Sequence, residues 1–181
     1  MWRPERMESR IMVELWEDEW LQRRYYDGQL PDAAERHLHL AARSYSDSGT
    51  AEHHLMEAIA IAPGHIAVYV SLYKFYFYKG RLPEALKLAY ICLGLSASAL
   101  NLDRDWRKVQ GSQADFGSYD APGARFYMFV LKAYGYLLLR TGNFSRGRKV
   151  LAKLLELDPG DRIQAKVLLA VLEKKDGDEY E

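Results

Sequence analysis

The five histidines are the residues of this chain that could ligate a metal ion, and their spacing argues against a metal site. His37 and His39 lie two positions apart and would project from different sides of a helix, while His53 and His54 are adjacent. Only residues three or four apart face each other on a helix, and a structural zinc site usually assembles four ligands at close spacing. The sequence supplies no such set, so we expect neither a bound metal nor another cofactor.

Cys92 is the single cysteine, and it lies among apolar residues in a stretch with helical periodicity. A thiol in such a place is commonly buried and inert. It has no second cysteine for a disulfide within the chain, which favours a reducing cytoplasm. The sequence also contains no phosphate-binding glycine loop and no nucleophile motif. We therefore expect a protein without catalytic activity.

The composition is typical of a soluble globular protein and argues against two classes of partner. Of 181 residues, 49% are hydrophobic and 28% are charged, and the formal net charge is zero. Proteins that bind nucleic acid usually carry a net basic footprint, which is missing here. The longest apolar segments, 66–78 and 126–139, contain Lys74 and Lys132 and are shorter than the roughly 20 residues of a membrane-spanning helix. We expect a cytoplasmic protein that binds neither nucleic acid nor membrane.

The stretch 128–159 has the pattern of two amphipathic helices joined by a tight turn. Gly142 is predicted to end the first helix, Asn143 to cap the second, and Pro159 to end the unit. Gly135, in the middle of the first helix, would let the two backbones approach closely. The stretch therefore predicts a compact helical hairpin.

Two earlier stretches, 32–65 and 66–97, have the same pattern, and Ala51 and Ala85 occupy equivalent positions 34 residues apart. Repeated helical pairs of about 34 residues, with small, aromatic and proline positions at fixed offsets, resemble tetratricopeptide (TPR) repeats. The resemblance implies an all-α fold, a short TPR-type solenoid of stacked helical hairpins.

The third unit is displaced from the 34-residue period by about 28 residues, which indicates an insertion between repeats two and three. Residues 100–110 would extend the preceding helix, and residues 111–123, rich in Gly, Ser, Asp and Pro, form a loop. Asp161 is expected to cap a last helix that covers the end of the solenoid. The predicted organisation is a leader with an acidic amphipathic helix over 1–30, then a TPR-like domain over 31–181 with repeats 32–65, 66–97 and 128–159, insertion 98–125 and capping helix 161–175.

The TPR resemblance implies a concave groove lined by the first helix of each pair. Carried over residue by residue, the groove is basic, aromatic and apolar: Arg36, Leu40 and Arg43 in repeat one, Val70, Lys74, Phe77 and Tyr78 in repeat two, and Phe129, Lys132, Tyr136 and Arg140 in repeat three. Such a surface suits an acidic or partly apolar peptide or protein surface. The alternative is that the rings belong to the core and the cations are merely solvated. Leu40 and Ser71 stand where TPR receptors of chaperone C-termini have asparagines, so that function is not expected.

The insertion holds three aromatic residues, Trp106, Phe116 and Tyr119, close to several charged ones. Loops longer than about 12–15 residues inside a compact domain are usually functional or disordered. Contact with a partner and packing along the flank of the solenoid are both open for these three residues.

The predicted function is that of a non-catalytic adaptor or accessory chaperone that binds another protein through the groove, the insertion or both. Resemblance to small bacterial TPR proteins leaves two more specific alternatives. One is an accessory factor that associates with a metalloenzyme such as nitrogenase during assembly or repair. The other is a secretion chaperone that holds an export substrate. The acidic helix around Glu14 and Glu17 could also occupy the groove and compete with the partner.

Overall fold

Pairs of consecutive α-helices build residues 30–170, the part of the chain that this computed structural model describes. The helices are α1 (Asp32–Arg43), α2 (Ser48–Ile61), α3 (Ile66–Tyr78), α4 (Leu82–Ala99), α5 (Pro122–Arg140), α6 (Phe144–Leu157) and α7, of which residues 165–170 are described. Two short 3-10 helices, Trp106–Lys108 and Gly111–Gln113, lie between α4 and α5. No strand occurs in residues 30–170, so the all-α prediction is confirmed there. The leader and acidic helix, predicted over 1–30, and the end of the capping helix, 171–175, fall outside that range apart from Leu30.

Glycines end α3 and α5 as predicted. Gly80 and Gly142 each follow the last helical residue by two positions and have φ of +72° and +84°. This left-handed conformation is strained for residues with a Cβ and is the one a Schellman motif requires. The amide after each glycine donates to the carbonyl five residues earlier, which completes the motif. The turns that create the second and third hairpins are therefore local properties of the sequence.

The starts of α4, α2 and α1 differ in how they are capped. Pro83 lies in the first turn of α4, as expected for a residue without an N–H. Asp47 caps α2 by accepting a hydrogen bond from the amide of Thr50 at 3.2 Å. The Thr50 hydroxyl also donates a hydrogen bond to this carboxylate, at 2.6 Å, and aspartate is among the preferred N-cap residues. Pro31 occupies the N-cap position of α1, and no side chain caps that helix.

The six helices α1 to α6 form three hairpins, each packed against the next. α1 packs on α2, α3 on α4 and α5 on α6, while α2 meets α3 and α4 meets α5. Equivalent small residues, Ala51, Ala85 and Gly147, are buried in the second helix of the three hairpins. Their spacings are 34 residues and 34 plus the predicted 28-residue insertion. Small residues at these points let the helices of each hairpin approach closely.

Residues 100–121 separate α4 from α5, so the stretch predicted as the insertion, 98–125, includes the last residues of α4 and the first residues of α5. The prediction that residues 100–110 extend α4 is wrong. Asn101 adopts φ of +55°, and the amide of Leu102 donates to the Ala97 carbonyl at 2.9 Å. Asparagine is one of the few residues that tolerates this conformation. A local helix stop therefore precedes the polar residues that had suggested continued helix.

Asp161 caps α7, as predicted, although the helix begins later than expected. Its carboxylate accepts from the amides of Ala165 at 2.6 Å and Lys166 at 3.2 Å. Residues 161–164 form turns, and α7 begins at 165. Ile163 is buried, whereas Val167 is 39% exposed. Within the described part of α7, Ala165 and Leu168 are the residues buried in the core.

Candidate partner-binding surface

Three of the predicted groove residues on α1 share one depression. Arg36, Leu40 and Arg43 line it together with His39, and its volume is about 440 Å³. Leu40 is 41% exposed. The described residues that line the depression include no carboxylate, and Glu35 lies 3.7 Å from the His39 ring on the same helix. We call this site the α1 depression.

The predicted groove residues on α3 differ in exposure. Tyr78 is 48% exposed, Lys74 and Phe77 are half-buried, and Val70 is buried. The expectation that Val70 contacts a partner is therefore wrong, because its side chain belongs to the core between the hairpins. The three accessible residues here, Lys74, Phe77 and Tyr78, are basic or aromatic, and their role in a groove stays a prediction.

Lys79 and Tyr45 add a contact that the sequence did not indicate. The Lys79 ammonium lies 4.1 Å from the centre of the Tyr45 ring and donates to the Tyr45 carbonyl at 2.8 Å. The two residues are 34 positions apart, one period of the repeat. That period is the only sequence signal that could have paired them.

Three predicted groove residues on α5 are buried instead of lining an open surface. Phe129 and Tyr136 belong to the core, and Lys132 is only 1% exposed. The Lys132 ammonium donates a hydrogen bond to the carbonyl of Ile163 in the segment before α7. Their predicted role in contacting a partner is wrong, because the chain itself covers this face.

Arg140 lies at the exposed end of α5 and contacts two other predicted groove residues. Its contact with Tyr136 is direct, and its contact with Phe77 is made through the Tyr136 ring. Its guanidinium donates to the Tyr136 hydroxyl at 2.6 Å. The Tyr136 ring in turn lies 6.3 Å from the ring of Phe77 on α3. Arg140 therefore contacts the buried ring of Tyr136, which in turn meets the half-buried ring of Phe77 in the second hairpin.

Burial changes the protonation of Lys132. Removal of the ammonium from water lowers the pKa of Lys132 to about 8, and the negative charge of Asp161 partly opposes the effect. Lysine is seldom buried without a partner, because the ammonium loses its hydration. Its carbonyl acceptor makes the position a structural contact.

Two of the three aromatic residues of the insertion are packing residues. Trp106 and Phe116 are buried in the main core, and the ring of Phe116 lies 5.7 Å from that of Tyr127 on α5. Of the two alternatives that the sequence left open, their burial favours packing. Tyr119 is 58% exposed, with the Arg125 guanidinium 4.3 Å from its ring. It is the member of the three that a partner can reach.

Side chains that could do chemistry are few in residues 30–170. No group of three or more His, Cys, Asp or Glu residues there could hold a metal ion. The structure does bring His37 of α1 and His54 of α2 together, with their Nδ1 atoms 3.1 Å apart, a pairing that sequence spacing could not reveal.

Cys92 is buried, and burial raises the pKa of its thiol to about 12. Among the helices of residues 30–170, none is long and apolar enough to cross a membrane.

One relative of this chain is a protein of Azotobacter chroococcum mcd 1. It is an uncharacterized 19.8 kDa protein in the nifW 5′ region of Azotobacter chroococcum mcd 1, 39% identical over 133 residues that cover 73% of this chain and 74% of that protein. The chain belongs to the family of this Azotobacter protein. No protein-family model and no solved structure matches the chain.

Membership of this family does not decide between the TPR fold and another stack of hairpins, since no TPR model matches. The repeated helical pairs and the buried small residues agree with the resemblance. For this family member, the assignment to TPR proteins stays a prediction.

Proposed function

We propose that this chain is a non-catalytic accessory protein that docks on another protein, and that its three hairpins form a short TPR-type solenoid. The solenoid is supported by the 34-residue spacing of Ala51 and Ala85 and by the sequential packing of the hairpins. In such a stack the first helices of successive pairs share one face. α1 and α3 are those helices in the first two hairpins.

The α1 depression is the observation on which the docking proposal depends. Arg36 and Arg43 lie on either side of Leu40 in the sequence, and all three side chains line the depression. An exposed leucine supplies an apolar contact, while the two guanidinium groups favour carboxylates and set the orientation of the partner. The matching partner surface is acidic with an apolar residue near its centre.

The partner is proposed from the family. Genes named nif serve nitrogen fixation, and the Azotobacter relative is encoded in the nifW 5′ region. We therefore propose that the partner is a nitrogenase component and that the protein assists this metalloenzyme during its assembly or repair in the cytoplasm. The chain would contribute a docking surface and no catalytic residue.

The proposal is tested by measuring binding of the purified full chain to purified nitrogenase component proteins. The double variant Arg36→Glu with Arg43→Glu should weaken binding about tenfold or more, because it places like charges against an acidic surface. A matched variant, Lys87→Glu with Lys166→Glu, makes the same charge change at exposed lysines outside the depression and should bind nearly as well as the unaltered chain. Absence of binding to every component would refute the nitrogenase assignment, and equal binding by both variants would refute the α1 depression as the docking site.

A further inference from the structure

A cleft of about 540 Å³ lies between α4, the insertion and the start of α6. This volume is within the range of ligand-binding clefts in proteins. The described residues that line it are Tyr90 of α4, Arg104, Asp105, Trp106 and Arg107 of the insertion, and Asn143, Ser145, Arg146 and Lys149 at the start of α6. We call it the insertion cleft.

The charge of the insertion cleft is strongly positive. Four cations line it, against one carboxylate, that of Asp105. Both oxygens of Asp105 accept hydrogen bonds from the Arg107 guanidinium, at 2.8 and 2.7 Å. These bonds hold the pKa of Asp105 down at about 2, so its charge is already matched by Arg107. The three other cations give the cleft its net charge.

Those three cations have no carboxylate partner among residues 30–170. Arg104 donates to the hydroxyl of Ser98 at 3.2 Å, and the Arg146 guanidinium lies 5.7 Å from the ring of Tyr134. Lys149 is exposed at the surface. The described residues that line the cleft therefore carry a net positive charge, although the whole chain has zero net charge.

The placement of the cations on α6 is unfavourable for the helix itself. Arg146 is its third residue, and Lys149 follows three positions later on the same face. The beginning of a helix carries a partial positive charge and is stabilised by acidic residues, but the first turn of α6 has none. The side chain of Asn143 makes no capping hydrogen bond either. A bound anion would offset both unfavourable features.

We propose that the insertion cleft binds a cluster of carboxylates on an acidic segment of a partner protein. The inference rests on the proposed function only in taking the partner to be a protein. Three of the four cations are arginines, which pair with carboxylates through two parallel hydrogen bonds. The cations are exposed on an open surface, and no glycine is among the described residues that line the cleft. An extended run of side-chain carboxylates fits this arrangement better than a small phosphate held by backbone amides.

Fluorescence anisotropy of a labelled hexaglutamate peptide, titrated with the full chain at low salt, tests the proposal directly. The double variant Arg146→Glu with Lys149→Glu should weaken peptide binding about tenfold or more, because two attractive charges become repulsive. The variant Lys87→Glu with Lys166→Glu carries the same change in net charge at exposed lysines that line neither the insertion cleft nor the α1 depression, and it is the matched control. We expect this control variant to bind the peptide less than about twofold more weakly than the unaltered chain does. We also expect salt near physiological strength to weaken peptide binding by the unaltered chain. Circular dichroism establishes that both variants are folded.

Three results would overturn the insertion cleft as an acidic-segment site. These are no binding of the peptide at low salt, equal loss in the two double variants, and displacement of the peptide by pyrophosphate at equal concentration. The variant Arg104→Glu changes a cation of the insertion, outside α6, and should also weaken binding, which guards against a local effect on that helix. The peptide assay needs no nitrogenase component. A failed nitrogenase experiment therefore leaves this result intact, and a failed peptide assay leaves the α1 depression untouched.

Discussion

The first two hairpins and the third differ in what covers their helices. Between α2 and α3 the chain turns within four residues, and the hairpins meet directly. At that junction, the Glu52 carboxylate accepts hydrogen bonds from the Tyr76 hydroxyl at 2.5 Å and from Arg81 at 2.6 Å. Only two of the 12 residues of α1 are buried, against 14 of the 19 residues of α5. The third hairpin thus forms the centre of the core, and the first forms a surface.

The third hairpin is covered in part by chain without long helices, and two buried lysines contact that chain. Lys153 of α6 donates to the carbonyl of Val109 in the insertion at 2.9 Å, and Lys132 of α5 donates to the carbonyl of Ile163. Irregular backbone leaves carbonyls that no helix or sheet satisfies, and a lysine ammonium has three donors. The difference between the hairpins shows that segments without regular structure can be integral to a core when side chains supply the missing hydrogen bonds.

Among the variants that test this comparison, Trp106→Ala has the largest expected effect on stability. If the insertion is part of the core, removing its buried indole should lower the free energy of unfolding by about 3–5 kcal/mol, measured by urea denaturation. Tyr119→Ala removes an exposed ring of the same segment and should cost about 1 kcal/mol or less, mainly its contact with Arg125. Similar small losses in both variants would mean that the insertion is a surface loop that the hairpins do not need.

Lys132→Met tests the cost of the buried ammonium through pH. The pKa of Lys132 is lowered from 10.5 to about 8 in the folded protein, so the unfolded chain binds more protons between these values. The contribution of Lys132 to stability therefore rises with pH across that interval. The free energy of unfolding of the unaltered chain, minus that of the variant, should rise by about 2 kcal/mol between pH values of about 8 and 9.5. Parallel stability curves for the two proteins would show that the ammonium is hydrated.

Local rules explain why most of the fold could be predicted from the sequence. The glycines at 80 and 142 stop helices because of their own backbone freedom, and Pro83 begins one because it lacks an N–H. Asn101 was missed because its helix-ending conformation is only one of several that asparagine adopts. These signals act within a few residues, so the helical pairs were placed closely while some of their ends were not.

The candidate site depended on contacts between distant parts of the chain, and there the prediction was weaker. Lys132 resembled a groove cation because most lysines on helices are exposed. Its acceptor is a backbone carbonyl 31 residues away, which leaves no mark on the sequence. The insertion cleft was missed for a related reason, because Arg104 and Arg146 are brought together only by the packing of the insertion against the third hairpin. Arg36 and Arg43 were placed together because one helix carries both.

Gly135→Ala in the third hairpin and Gly94→Ala in the second compare how closely the helices are packed around each glycine. These two variants have the smallest expected effects on stability. A Cβ at Gly135 would lie 2.9 Å from a methyl carbon of Val150, which is fully buried and, being β-branched, has little rotamer freedom in a helix. Overpacking costs about 1–3 kcal/mol, and the gain in helix propensity returns about 1 kcal/mol, so Gly135→Ala should destabilise the protein by about 1 kcal/mol. At Gly94 in α4 a Cβ meets nothing within 4 Å, and the propensity gain alone should stabilise by about 0.5–1 kcal/mol. The unfolding temperatures of the two variants should therefore shift in opposite directions. A rise of both temperatures would mean that Val150 moves aside. The third hairpin would then be no more tightly packed than the second.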